Sequence, residues 1–368
     1  MSFDDRIQPV LKVAAEHAAS VDRDGRFPDE TIGALRDSAL LGLTLPESVG
    51  GLGATPADFL SVTRSLASRC ASSAMVYLMH VCAAEVTLAG TPGGDSAEMR
   101  TLADGSNLST LAFSERGSRS HFWAPVSRLA GTHLSAQKSF VTTAGHADSY
   151  VVSTRPAEAD SPIESSLYLV QGSTPGVEMG NAWNGLGLRG NASAPMTFEV
   201  EVDDSMLLGE AGKGLDLMLG VVLPWFQLGQ GAVSLGIAEA ALSAAVAHVI
   251  AARLEHLGQS LADLPTVRAR IGRAQTEVDT VAGFLADVAR RMGEGDPQVP
   301  ILSAKASANE MAVRVTSEAM QACGGAAMST ALPIERWFRD ARAGSVMAPT
   351  TDVLYELTGR ALAGMPLL

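Results

Sequence analysis

Cysteine is scarce: Cys70, Cys82 and Cys323 are the three in 368 residues. Widely spaced and without a CxxC, they support neither a disulfide framework nor a structural zinc site. Cationic charge is short as well, with Lys+Arg 27 against Asp+Glu 40 and a formal net charge of −13. A polyanion is held by a basic stripe, whereas the arginines here are dispersed, with no cluster longer than Arg290-Arg291. Nucleic acid is therefore not an expected partner. The seven histidines, His17, His80, His121, His133, His146, His248 and His256, include no HxH or HxxxH pair beside a carboxylate, so no metal is expected. The first residues, Met1 to Arg6, are acidic and contain no apolar signal core, which points to a cytoplasmic protein. Apolar side chains, by contrast, make up 46% of the chain. That excludes disorder, and the length suggests two or three domains.

No charge occurs between Asp216 and Glu239, a run about as long as the 20 residues that cross a bilayer. Pro224, Gln227 and Gln230 interrupt it, and Gly220, Gly229, Gly231 and Gly236 suit close helix packing, so a buried helix of a bundle is expected rather than a membrane span. The hydrophobic period divides the chain into three zones. Residues 1–106 read as helices, broken by the turn-rich Pro46 to Gly53 and by Thr91 to Gly94. Residues 107–208 read with a period of two as a small β domain, with strands near Leu108–Phe113, Ser149–Val152, Leu167–Val170 and Met196–Val202. Residues 209–368 return to a helical period. Val267, Ile271, Ala274, Val278, Val281, Leu285, Val288 and Met292 draw one stripe on a long helix, and further helices are expected over 301–323 and 332–362. The predicted class is α+β: an N-terminal helical domain, a middle β domain and a C-terminal four-helix bundle.

Gly185-Leu186-Gly187-Leu188-Arg189-Gly190 fits GxGxxG, but loop and strand follow it where a dinucleotide site needs a helix N-terminus. A more informative stretch runs from Phe113 to Trp123, where Ser114, Glu115, Arg116, Arg119, Ser120, His121 and Phe122 crowd a strand end. Such a loop is either a solvated turn with a satisfied histidine or a loop that holds phosphate oxygens and stacks on a planar ring.

At this point the chain resembles the acyl-CoA dehydrogenase superfamily of flavoproteins over nearly its whole length. Phe27-Pro28, Gly42 and Pro46-Glu47-Ser48-Val49-Gly50-Gly51-Leu52-Gly53 are similar to its FP…G…PExxGGxG. Ser114 to His121 falls where the family has a TEPGxGSD-like segment, and Lys138 to Ala144 where it has a KxWITN-like strand. Leu186 to Arg189 is similar to its LGxR turn, Gln321 to Gly325 to QxxGG, and Glu335 to Arg342 to the ER..RDA. helix. The resemblance implies FAD held between the β domain and the bundle with help from a neighbouring subunit, hence a homodimer or homotetramer. Phe113, Ser114, Phe140 and Thr142 would border the isoalloxazine, and Ser120 would lie near the pyrophosphate or the ligand. Gln321, Gly324 and Gly325 would reach the adenosine half across the interface, and Thr350 would touch the cofactor near the active site. Arg253 is the nearest match to the family's phosphate-binding arginine, although its spacing to Gly258 is one residue longer than usual.

The pattern breaks at the catalytic base. The family's EGT-like triplet, whose glutamate takes the substrate α-proton, is Ala348-Pro349-Thr350 here, and the alternative position on the first bundle helix reads Leu223 to Gly229 with no carboxylate. No catalytic residue is assigned. Gln227 and His121 remain as substrate-side candidates, the amide being no base near neutral pH. Three functions follow as expectations: an FAD-dependent oxidoreductase on an acyl thioester or related substrate with an atypical or absent base, passing electrons to an electron-transfer flavoprotein or O2; a flavin monooxygenase of the same fold; or a non-catalytic subunit in a heteromer with a paralogue.

Overall fold

A computed structural model describes residues 3–91, 93–94, 96–118, 121–161, 163–295 and 298–367. The chain opens with α1 (Phe3–Asp24), α2 (Asp29–Asp37), α3 (Pro56–Ala67), α4 (Ala71–Gly90) and α5 (Ala97–Asp104). Thr55 caps α3 through a reciprocal pair with Asp58, which is why that helix starts there. The middle of the chain forms β1 (Ser109–Ala112), β2 (His133–Val141), β3 (Ser149–Thr154), β4 (Ser166–Gln171), β5 (Val177–Met179), β6 (Ala194–Glu201) and β7 (Leu207–Leu208). They make two sheets, ordered β1-β3-β4-β7 and β2-β6-β5. Tyr150, Val152 and Phe198 fill the space between them, and β2 and β6 alternate buried and exposed residues as a half-covered pair should. His80 joins the two regions. Its Nδ1 accepts from the Ser109 N–H at 3.1 Å and its Nε2 faces the Leu41 carbonyl at 3.2 Å, while burial pushes its pKa down to about 4, so it is a neutral structural histidine.

The C-terminal part contains α6 (Gly214–Leu217), a π-turn at Met218–Val222, α7 (Leu223–Ala251), the hairpin β8 (Arg253–Leu254) and β9 (Gln259–Ser260), α8 (Pro265–Gly293), α9 (Gln298–Cys323), α10 (Ile334–Val346) and α11 (Thr351–Leu362). Helix α7 is its axis. It packs along α9 and α3, and a Cβ on Gly229 would lie 2.2 Å from Leu78 Cδ1 while one on Gly236 would lie 2.3 Å from the Arg64 carbonyl oxygen. Only glycine lets the neighbouring helices come that close. Both α4 and the segment 214–251 are long and apolar enough to cross a membrane by length and composition, with 83% and 61% of their most apolar windows buried inside the protein. The stripe expected on α8 faces inward through Val267, Ala274, Val278, Val281, Leu285 and Val288.

One helical expectation needs correction. The segment 332–362 is two helices, because Pro349 has no N–H to donate and its ring clashes with the preceding turn. The chain turns between them at Met347–Thr350, and the Ala348–Pro349 peptide bond is cis. Within the N-terminal helical zone, α3 and α4 are separated where Cys70 leaves the helical region with φ −144° and ψ 104°.

Candidate active site

The ends of β1 and β2 meet at one edge of the β domain. The Ser139 N–H donates to the Ser114 carbonyl at 2.8 Å, and Thr110 Oγ1 donates to the Thr142 carbonyl at 2.8 Å. Phe113, Ser114, Phe140 and Thr142 are thereby brought together. Thr142 is buried with its hydroxyl 3.1 Å from Ser193 Oγ. Phe140 is the opposite case: a bulge in β2 between Lys138 and Val141 gives it φ +54°, and the residue stands 69% exposed, its ring perpendicular to that of Trp183 at 6.3 Å. An aromatic side chain held out in a left-handed conformation is a strained arrangement that a packed strand does not need.

The loop after Ser114 is tied down by a buried ion pair that the sequence reading did not single out. Glu115 accepts from Lys138 Nζ at 2.5 Å, from the Val126 N–H at 2.6 Å, and from the Ser127 N–H and hydroxyl at 2.8 and 2.6 Å. Lys138 also donates to the Ser153 carbonyl. Burial pushes the Glu115 carboxyl upward, but Lys138 and the Ser127 hydrogen bonds outweigh that and hold it below its ordinary value. The pair fixes both ends of the 115–127 loop. His121 stands exposed on that loop, its ring edge-on to Trp123 at 5.3 Å, while Phe122 stacks on Phe113 at 6.2 Å. Ser120 lies outside the described residues.

The LGxR turn and the ER..RDA. helix form one clamp. Asp340, fully enclosed, accepts the Leu188 N–H at 2.6 Å, and burial pushes its carboxyl up to about 6. Arg339 grips Asp22 at 2.6 and 2.9 Å and Glu335 at 2.8 Å. Arg189 donates to the Asp22 carbonyl at 2.7 Å. These contacts bind α1, the 185–190 turn and α10, and they are structural.

Beneath the clamp, Lys305 of α9 reaches the turn between α10 and α11. Its Nζ donates to the carbonyls of Met347 at 2.7 Å and Pro349 at 2.6 Å, on either side of Ala348, and stands 5.6 Å from the Phe226 ring. With no carboxylate partner, burial pushes its pKa down to about 7. Gln227 follows Phe226 on α7. It is fully buried, and neither amide atom has a hydrogen-bond partner; the buried Gln230 Oε1 and Thr351 Oγ1 are also unpartnered. Thr350 begins α11 at the same turn.

Arg253, Gln321, Gly324 and Gly325 occupy the far end. Gln321 follows Lys305 by 16 residues on α9, which is about 24 Å of helix. Arg253 is exposed on the hairpin with one amine 3.4 Å from the Gly258 carbonyl, and Gln321, Gly324 and Gly325 are exposed too. A Cβ on either glycine meets nothing within 4 Å.

Three sequence families cover this chain in order: residues 8–105 match "Acyl-CoA dehydrogenase, N-terminal domain", 110–200 the middle domain and 212–363 the C-terminal domain. The chain belongs to the acyl-CoA dehydrogenase family. A probable acyl-CoA dehydrogenase, FadE25 of Mycobacterium tuberculosis, is 28% identical over 361 residues, covering 95% of this chain and 92% of its own. The structure of butyryl-CoA dehydrogenase from Megasphaera elsdenii superposes with a TM-score of 0.88 at 25% identity, covering 98% of each chain. FMN-bound TdsC from Paenibacillus sp. A11-2 shares the fold, with a TM-score of 0.88 at 22% identity over 99% of this chain and 98% of that one. Against that family background, the features that sequence reasoning missed are the Glu115–Lys138 pair and Lys305. The one signal in the sequence was Lys138, a charged residue at a position that the alternation of its strand places inside.

Proposed function

We propose that this acyl-CoA dehydrogenase family member is an FAD-dependent oxidoreductase acting on an acyl thioester or a related substrate without the family's glutamate base. The observation that carries this reading is the turn at Met347–Thr350. Lys305 holds its two flanking carbonyls, so the turn has a defined shape, yet the side chain it presents is the methyl group of Ala348. The neighbouring face of α7 contributes Phe226 and Gln227, and no carboxylate. Gln227 offers one donor and one acceptor, which suits binding a carbonyl or an amide rather than removing a carbon-bound proton.

The residues fit a flavin. The exposed Phe140 ring, the buried Thr142 and the Ser114 strand end supply an aromatic face and polar edge at one place, as a flat heteroaromatic ring requires. Bound there, FAD would supply hydride and electron acceptance that no side chain provides. Gln321, Gly324 and Gly325, open on the surface about 24 Å along α9 from Lys305, suit the adenosine half of a cofactor held mainly by a second copy of the chain. Arg253 would meet its phosphates, Thr350 would touch it beside the turn, and the His121 loop would border the ligand. Electrons would leave to an electron-transfer flavoprotein or O2.

The test is direct. Purified protein carries a yellow flavin spectrum, and the flavin released on denaturation runs as FAD on chromatography. Colourless protein that takes up no added FAD would overturn the reading, and release of FMN would correct it. The missing carboxylate also favours a second reading, a flavin monooxygenase, because oxygen insertion needs no α-proton base. Reoxidation of the reduced protein by air in well under a second would select it. A protein that binds neither cofactor nor acyl-CoA until mixed with a complete paralogue would select the non-catalytic subunit.

A further inference from the structure

We propose that the cleft beside Glu85 binds a small organic ammonium ion with an apolar tail. The cleft encloses about 390 Å³ between α4, the start of α3, the end of α8 and the π-turn that leads into α7. Pro56, Leu88, Val221, Pro224, Trp225 and Met292 form apolar walls, and Glu85 is the one ionisable residue among the described residues lining it. Its Oε1 is buried and has no hydrogen-bond partner.

The carboxyl has no counter-charge among the described residues. Burial pushes it up to about 7, with the Thr44 hydroxyl pulling the other way. Of the elements packed around it, α4 adds the Cys82 thiol one turn earlier, raised in turn by burial and by Glu85 itself, while α3, α7 and α8 bring no ionisable group to the cleft's described lining. The other enclosed carboxylates are provided for: Glu115 has Lys138 and Ser127, and Asp340 has the Leu188 N–H with Arg336 and Arg339 nearby. A buried carboxylate without a partner is costly unless something supplies one. An ammonium ion seated in the cleft supplies the missing counter-charge at short range, and a turn of the carboxyl toward it gives the enclosed Oε1 its hydrogen bond. Its hydrocarbon tail covers the apolar walls, the indole of Trp225 favours a cation at its face, and the net charge of −13 draws cations to the molecule. The volume is of the order that small-molecule sites use. The inference is independent of the flavin reading. The two sites adjoin through α7, where Trp225 lines the cleft and the next residue, Phe226, faces Lys305.

The probe is n-hexylammonium chloride, compared with 1-hexanol and sodium hexanoate at matched ionic strength and pH 8.5, where Glu85 is ionised. Binding is read by tryptophan fluorescence and by calorimetry. The expected result is saturable binding of hexylammonium at least tenfold tighter than of hexanol, with no binding of hexanoate. Glu85→Gln weakens hexylammonium at least tenfold. Ala89→Trp, which fills the cleft and leaves the carboxylate in place, abolishes binding. Equal affinity for the alcohol or the carboxylate, wild-type affinity in Glu85→Gln, or no saturable heat or fluorescence change with hexylammonium up to about 10 mM overturns the proposal. Because two chemically different variants are used, a folding defect in one does not remove the test.

Discussion

Two kinds of buried polar residue sit near the candidate site, and they make different predictions. Lys138 and Glu115 are each other's buried counter-charge, so removing one strands the other in the interior. Lys138→Met is expected to cost about 3–5 kcal/mol, whereas the double variant with Glu115→Gln loses less, because neither charge is then left alone. Urea unfolding of the set measures this. Asp340 is a titration case. Its folded carboxyl is raised to about 6 from 3.8 by burial, so the folded state holds a proton that the unfolded chain has lost between those values. That contribution is complete below about pH 4 and disappears as pH rises through about 6. The difference of roughly 2 units corresponds to about 3 kcal/mol. Asp340→Asn keeps an acceptor for the Leu188 N–H and removes the titration. Its stability relative to wild type is therefore expected to improve as pH rises from 4 to 6.5, which denaturation midpoints across that range would record. Gln227 belongs to neither kind. Both its amide atoms are buried without partners, and a core with no ligand to receive gains nothing from such a residue.

At the scale of elements, the helices and most strands were legible because their periods are regular. The α8 stripe and the alternation of β6 survive into the fold as read. What was not legible was where a long period breaks. The division of 332–362 follows from Pro349, one residue in an otherwise helical run, and the π-turn before α7 has no marker in its apolar sequence Met218-Leu219-Gly220-Val221-Val222. The candidate site was legible in part. Family motifs marked Ser114, Phe140 and Thr142, which the fold brings together, but not whether a motif binds or merely holds. The LGxR turn and the ER..RDA. helix prove to be a mutual clamp. A Cβ on Gly187 would sit 2.5 Å from the Arg339 carbonyl oxygen. Gly187→Ala is therefore expected to lower stability by about 1–3 kcal/mol through overpacking, with any flavin bound by the folded fraction unchanged. Thermal melts with parallel absorbance at 450 nm separate the two effects.

Across the whole molecule, the residues expected to hold the cofactor's two ends fall into two groups on one chain. Phe113, Ser114, Phe140 and Thr142 crowd the β-domain edge, while Arg253, Gln321, Gly324 and Gly325 stand exposed at the far end of the bundle. The proposed assembly, in which a second copy supplies the distal group, would account for both. Gly325→Arg tests it, because nothing in its own chain lies within 4 Å of the new Cβ. The variant is expected to fold with an unchanged melting curve and to lose most of its flavin. Full flavin content would show that the glycine pair is not part of the cofactor site.

The central claim is that the fold and cofactor of a dehydrogenase are retained while the base is absent. Anaerobic mixing of the FAD-loaded protein with butyryl-CoA, followed at 450 nm, tests it most directly. Wild-type flavin should stay oxidised over minutes, since a general base contributes about 10²–10⁴-fold. Ala348→Glu combined with Pro349→Gly should bleach it. Rapid bleaching of the wild-type flavin would contradict the account.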